Sequence, residues 1–267
     1  MTIDSWAAEL LRRDSLMNRR PLAVLILAAG EGKRMKSDLP KVLYLVSGKP
    51  MISRVVETAQ ALKPEKIVAV VGAGHELVKS ELSGSGVEFA IQDRQLGTGH
   101  AVLQAKDSFS DFHGDLLILS GDVPLLSEIS LDKILRRHYV SCATATVLST
   151  IIDNPTGYGR VIRSNDGNLE QIVEEMDCSE DERKIREINA GIYLFRSEVL
   201  FRFLPKVSNA NVQQEYYLPD VLPMIIEDDG IVAVEQINDA LEVAGVNSPE
   251  QLEELNLAFE ESNEIYS

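Results

Sequence analysis

Cysteine is nearly absent from this 267-residue chain: Cys142 and Cys178 are the only two, and no C-x-x-C spacing occurs. A disulfide framework and a thiolate zinc site are thereby excluded, and two isolated thiols fit a reducing cytoplasm. Positive charge is also short, with 26 Lys and Arg against 42 Asp and Glu and a net charge of −16. A body of that sign repels nucleic acid and anionic membrane surfaces, so neither is expected as a partner. No apolar run approaches the roughly 20 residues that cross a bilayer. Repeats and low-complexity segments are missing too. One stretch imitates an export signal, where Arg19-Arg20-Pro21 precedes the apolar run 22–29. It starts late, behind an acidic amphipathic segment, so a cytoplasmic location is expected rather than secretion.

What the chain does have is ordinary for a globular protein, with 45% hydrophobic and 25% charged residues. Its most telling stretch is Leu27-Ala28-Ala29-Gly30-Glu31-Gly32-Lys33-Arg34-Met35, directly behind the apolar run Leu22 to Leu27. Glycines let backbone N–H groups approach a phosphate, and Lys33, Arg34 and the later Lys41 of Leu39-Pro40-Lys41-Val42-Leu43 add charge to meet it. The dinucleotide fingerprint fails because Met35 stands where its third glycine belongs. The Walker pattern fails because Leu27 replaces its first glycine and Arg34 its Ser or Thr. The plainer alternative is a tight strand-to-helix turn with a solvated cationic tip.

Along the chain, Trp6, Leu10, Leu11 and Met17 recur at helical spacing, which predicts an N-terminal helical extension over 1–20. Strands are expected at Leu22–Ala28, Lys66–Val71, Val87–Ile91 and Leu116–Leu119. Helices are expected at Met51–Leu62, Glu76–Leu82 and Thr98–Lys106. This alternation predicts a parallel sheet with helices on both faces, and ligands at the carboxyl ends of its strands. The glycine turn, the loop 92–98 and Gly121-Asp122 would therefore meet on one edge. After Thr150 the rhythm changes. Asn165-Asp166-Gly167 signals a hairpin, so an inserted wall of antiparallel strands is expected, including Ile188–Phe195. Helices follow at Ser197–Leu204 and Glu215–Glu227, then a strand at Ile231–Val234. Pro249 opens a last helix. The expected organisation is a nucleotide-handling domain over 21–247 with a C-terminal helix over 248–267.

Several residues invite chemistry. Asp122, just past a buried strand, can hold Mg²⁺ through oxygen, although an Asp in a turn is commonly a cap. Gln92 offers donor and acceptor atoms to a base edge. Gly97 and Gly99 flank Thr98 at an expected helix start, where free N–H groups favour an anion. His100 reads better as structural than as a base. Gly159, Glu174 and Asn189 could meet sugar hydroxyls. Asn247 is either a helix cap or a metal ligand.

Taken together, LAAGEGKRM, LPKVL, QLGTGHA, GDVPL, NPTGYGR, Glu187-Ile188-Asn189-Ala190-Gly191-Ile192 and GVN resemble the uridylyltransferase domain of bacterial N-acetylglucosamine-1-phosphate uridylyltransferases over about Leu22 to Leu252. The resemblance implies an α/β fold: a Rossmann-like, mostly parallel sheet of the nucleotide-diphospho-sugar transferase type, with an antiparallel wall over the sugar. It implies that Ala28, Gly30, Gln92, Gly97 and Thr98 hold the uridine, and that Arg34 and Lys41 neutralise the triphosphate and departing pyrophosphate. Asp122 and Asn247 would bind catalytic Mg²⁺, and Gly159, Glu174 and Asn189 the amino-sugar ring. UTP and a sugar 1-phosphate are the implied partners, with the oligomeric state open. Lys33 departs from the family's usual Thr. Longer family members continue into a left-handed β-helix that transfers an acetyl group. No such domain, and no acetyl transfer, is expected here. Two other readings stand beside this one: a pyrophosphorylase for another nucleotide or sugar, such as thymidylyl transfer to glucose 1-phosphate, and a nucleotide-sugar binding subunit without turnover.

Overall fold

Unbroken apolar runs become strands that are covered on both sides. In the computed structural model, which describes residues 20–266 apart from 31, 36 and 38, the first run is β1 (Leu22–Ala28). The expected helix over 1–20 lies, except for Arg20, outside the described residues, as does the side chain of Lys33. Two single 3₁₀ turns, Lys33–Met35 and Lys41–Leu43, follow β1. A two-stranded ribbon comes next, β2 (Leu45–Val46) with β3 (Lys49–Pro50), then α1 (Met51–Ala61). The alternation continues through β4 (Lys66–Val71), α2 (His75–Glu81), β5 (Glu88–Ile91), α3 (Thr98–Gln104), β6 (Asp115–Ser120), α4 (Glu128–Val140) and β7 (Ala145–Ile151). Beyond these lie β8 (Arg160–Arg163), β9 (Leu169–Val173), β10 (Glu187–Arg196), α5 (Ser197–Phe203), α6 (Val221–Glu227), β11 (Val232–Ile237) and α7 (Pro249–Tyr266).

The central sheet runs β11-β7-β10-β6-β1-β4-β5, with the β8–β9 hairpin joined to β10. Every neighbouring pair along that path is parallel except those made by β10, which runs against both β6 and β7. Successive residues of each strand point to opposite faces, so an apolar run supplies two cores at once. Ala23, Leu25, Val68, Val70, Leu116 and Ile118 pack under α3, α5 and α6. Val24, Ile26, Ala69, Val71, Leu117 and Leu119 pack under α1 and α4. No helix among the described residues is long and apolar enough to cross a membrane.

Two expectations need correction. β10 is not part of an inserted wall. It fills the gap between β6 and β7 in the main sheet, buried along most of its length, and only the β8–β9 hairpin stands out as an addition. The segment 215–217 is not helical. It runs extended across the loop before α3, with a 3₁₀ turn at Leu218–Asp220 and α6 starting only at Val221. The backbone amides of Tyr216 and Leu218 are taken by Leu96 O and Thr98 Oγ1, at 2.8 and 3.0 Å. Tertiary partners for these donors outweigh the local helical spacing.

Candidate active site

All the polar loops gather at the carboxyl ends of β1, β4, β5 and β6, the edge where parallel sheets bind ligands. There they enclose a cleft of about 470 Å³, within the range of small-molecule sites. One side of the cleft is the turn after β1, with Ala29, Gly30, Gly32 and exposed Arg34. Gly32 packs onto the stem of Lys41: a Cβ there would sit 2.9 Å from the Lys41 Cβ. The turn is thus built against the second cation.

The Lys41 side chain reaches to the centre. Its ammonium pairs with Asp122 Oδ2 and donates to Asn247 Oδ1 at 2.9 Å, with only 10% of the Lys41 side chain and 20% of the Asp122 side chain exposed. Three residues separated by 81 and 125 positions in the chain therefore share one point. Asp122 follows the end of β6, where Gly121 N bonds Leu27 O at 2.9 Å and ties that loop to β1. Asn247 precedes α7. Ser248 caps that helix by accepting from Gln251 N, and Gln251 in turn accepts from Asn247 N at 2.8 Å. Capping is thus done by the neighbour, and the Asn247 side chain is left for Lys41. Among the described residues no group of three or more His, Cys, Asp or Glu is arranged for a metal. Asp122 and Asn247 nevertheless present two hard oxygens, one anionic, to a single cationic nitrogen. That donor set fits a divalent ion that draws its other ligands from phosphate and water.

Opposite lies the loop 92–98. Gln92 is buried, and its Nε2 donates to His100 Nδ1 at 2.9 Å and to Gly97 O at 3.3 Å. A carbonyl can only accept, so Gly97 fixes which way the amide faces. With both donor hydrogens committed, Gln92 offers the cleft an acceptor oxygen and not the donor–acceptor pair expected of it. His100 sits behind Gln92 as the acceptor, and burial lowers its pKa, which keeps it neutral for that role. At the start of α3 the Gly99 amide is already taken by Tyr216 O at 2.7 Å, so that donor is not free for the anion expected there. Thr98 lines the cleft and accepts from Leu218 N.

Gly159, Glu174 and Asn189 come together, but beside this cleft and not in it. Asn189 N bonds Gly159 O at 2.9 Å, and a Cβ on Gly159 would lie 3.0 Å from Glu174 Oε1. The Asn189 amide is held by Tyr193 Oη at 2.6 Å and by Gly191 N at 3.1 Å, across a bulge in β10. Burial raises the Glu174 pKa to about 7, helped by Asp220, Asp177 and Glu215 and opposed by Arg160. Ala28 is buried and turns its side chain into the core under α1 and α4.

Four further residues on the cleft side have no role assigned from sequence. Gln95 donates to Ala29 O at 3.2 Å and joins two of the loops, and Ser120 donates to Gly191 O. Glu215 lines the cleft from the extended strap. The Tyr158 hydroxyl lies against the Gly245 amide and near Asp122, and burial raises its pKa. The second glutamine of Gln92-Asp93-Arg94-Gln95 was a usable signal for Gln95. Nothing local marks Glu215 or Tyr158.

The nucleotidyl transferase family model matches residues 23–240, which include every loop of this cleft except the Asn247 corner. The chain belongs to the nucleotidyl transferase family. Within the family it is 48% identical over 223 residues to a protein of Geobacillus thermodenitrificans called bifunctional protein GlmU, and 47% identical to the protein of that name in Listeria monocytogenes. Each alignment covers 84% of this chain, and the chain spans about half the length of these relatives. Two solved structures share the fold. One is a putative glucose-1-phosphate thymidylyltransferase of Bacillus anthracis (TM-score 0.70, 20% identity, 89% of this chain and 94% of that one). The other is a UDP-glucose pyrophosphorylase complexed with UDP-glucose (TM-score 0.74, 17% identity, 91% and 99%).

Proposed function

We propose that this chain transfers a uridylyl group from UTP to N-acetylglucosamine 1-phosphate, releasing pyrophosphate and UDP-N-acetylglucosamine. The observation that carries the reading is the Lys41–Asp122–Asn247 cluster at the floor of a cleft with Arg34 at its mouth. A protein that only bound nucleotide sugars would not need a carboxylate and an amide oxygen converging on one cation. The uridylyl and N-acetylglucosamine choice rests on the motif resemblance and on the relatives named GlmU.

In this reading the anionic oxygen of the sugar phosphate attacks the α-phosphorus in line, and the bond to the β,γ-pyrophosphate breaks. The nucleophile is already ionised, so the protein's work is alignment and charge neutralisation rather than proton removal. Arg34 and Lys41 balance the charge of the triphosphate and of the leaving pyrophosphate. Asp122 and Asn247 would hold a divalent ion, magnesium, which when bound would reduce the repulsion between the two phosphates that must meet. The Gln92 oxygen accepts from the imide N–H of uracil, and Gly30, Gly97 and Thr98 form the rest of the uridine pocket, with Ala28 contributing from behind, through the backbone that leads into the turn. Gly159, Glu174 and Asn189 hold the amino sugar.

The test is pyrophosphate release across a panel of nucleoside triphosphates and sugar 1-phosphates. UTP with N-acetylglucosamine 1-phosphate should give the highest kcat/KM, and preference for another pair would replace this substrate assignment. Asp122→Ala should lower kcat by about a hundredfold or more while its circular dichroism stays that of the parent. Near-normal turnover would remove Asp122 from the reaction.

A further inference from the structure

We propose that Lys41 is a resident counter-ion that competes with the divalent metal: without nucleotide its ammonium occupies the point between Asp122 and Asn247 that a metal would take. Metal then enters as the phosphates of the nucleotide draw Lys41 away. The idea rests on the nucleotidyl-transfer reading for what draws Lys41 off. The competition itself rests on geometry alone.

Three observations lead there. First, Nζ contacts both candidate metal ligands at once, pairing with Asp122 Oδ2 and lying 2.9 Å from Asn247 Oδ1. A second cation cannot reach those oxygens without displacing the first. Second, the cluster is only partly open to water, so the Asp122 carboxylate depends on a protein cation for much of its compensation. A half-buried carboxylate stripped of its partner is costly. Third, Lys41 is held near its backbone, in the 3₁₀ turn where its Cβ and Cγ pack against Gly32, so only the far end of the side chain has to move for the ammonium to leave. The phosphate-binding turn with Arg34 stands beside it and would receive the ammonium on the nucleotide's own anionic groups.

The consequence is thermodynamic coupling. With Lys41 in place the pair is neutral overall and a divalent ion meets a like charge within a few ångströms. With nucleotide bound, that charge has another anion to serve. Metal and nucleotide should therefore each strengthen the other's binding by the same factor.

The experiment is Mn²⁺ binding to the nucleotide-free protein, read by loss of the free-ion electron paramagnetic resonance signal. Lys41→Met keeps the stem and removes the charge. It should bind Mn²⁺ at least about tenfold more tightly than the parent, equivalent to about 1.4 kcal/mol. Adding Asp122→Asn should abolish the gain. Lys41→Gln, neutral but still polar, is measured alongside in case the methionine variant folds poorly, and should shift affinity in the same direction. Unchanged or weaker Mn²⁺ binding in folded variants overturns the proposal. The two readings fail separately. A parent protein that releases pyrophosphate from UTP, with variants that bind Mn²⁺ no better, keeps the reaction and discards the competition. Tighter Mn²⁺ binding with no turnover on any substrate pair does the reverse.

Discussion

Glu174 shows how a side chain's surroundings set its chemistry. Its carboxyl is raised from 4.5 to about 7, first by burial and then by Asp220, Asp177 and Glu215, and Asp220 itself is raised to about 6 by burial and by Asp177. An acid whose folded pKa exceeds its unfolded one holds an extra proton in the folded state. Its contribution to stability is full below about 4.5 and disappears as pH climbs through about 7. Urea denaturation should therefore show stability falling between pH 5 and pH 8. Glu174→Gln should flatten that slope and raise stability at pH 8 by about 2 kcal/mol. An unaltered slope would contradict the account. None of this was legible in the residue itself. The sequence places a glutamate after a strand, but Asp177 is a local neighbour while Glu215 and Asp220 arrive through the fold. Arg34, Lys41 and Asp122 were legible for the opposite reason: each stands in a short motif whose glycine or proline fixes the loop that presents it.

Elements were readable where one requirement ruled them. β1 and β4 are apolar on both faces, and the expected bounds match those found. The bulge in β10 left a trace in Gly191, since a glycine inside a strand pattern marks such a kink. The strap at 215–217 left none, because its apolar spacing suits a helix and its extended form is imposed by Leu96 and Thr98. That strap explains Gly97. Its φ is +107°, and a Cβ there would stand 2.5 Å from Tyr216 O. Gly97→Ala should cost about 1–3 kcal/mol of stability. It should also raise the KM for UTP more than that for the sugar phosphate, because the strap and the Gln92 contact both close on the side of the proposed uridine pocket. An equal rise in both constants would show that the whole cleft had been disturbed.

At the scale of the molecule, the proposed reaction requires an acidic body to admit a polyanion. The charge of −16 acts at long range, while Arg34 and Lys41 act only at the cleft. Screening separates the two, because the Debye length falls from about 30 Å at 0.01 M salt to about 8 Å at 0.15 M. Stopped-flow association of UTP should accordingly speed up over that range, as the distant repulsion is screened before the local attraction. A rate that falls steadily would show that the cleft's own charge dominates at every distance. The arrangement of the sheet reaches further. The β8–β9 hairpin hangs from β10, which runs against both β6 and β7, so its ends at Gly159 and Glu174 stand beside the cleft on a strand of opposite direction to β1, β5 and β6. In the proposed reaction, donor and acceptor recognition would then be built from separate stretches of chain on a shared platform. Exchanging the hairpin for one of another length would retailor which sugar is accepted and leave the choice of nucleotide where it was.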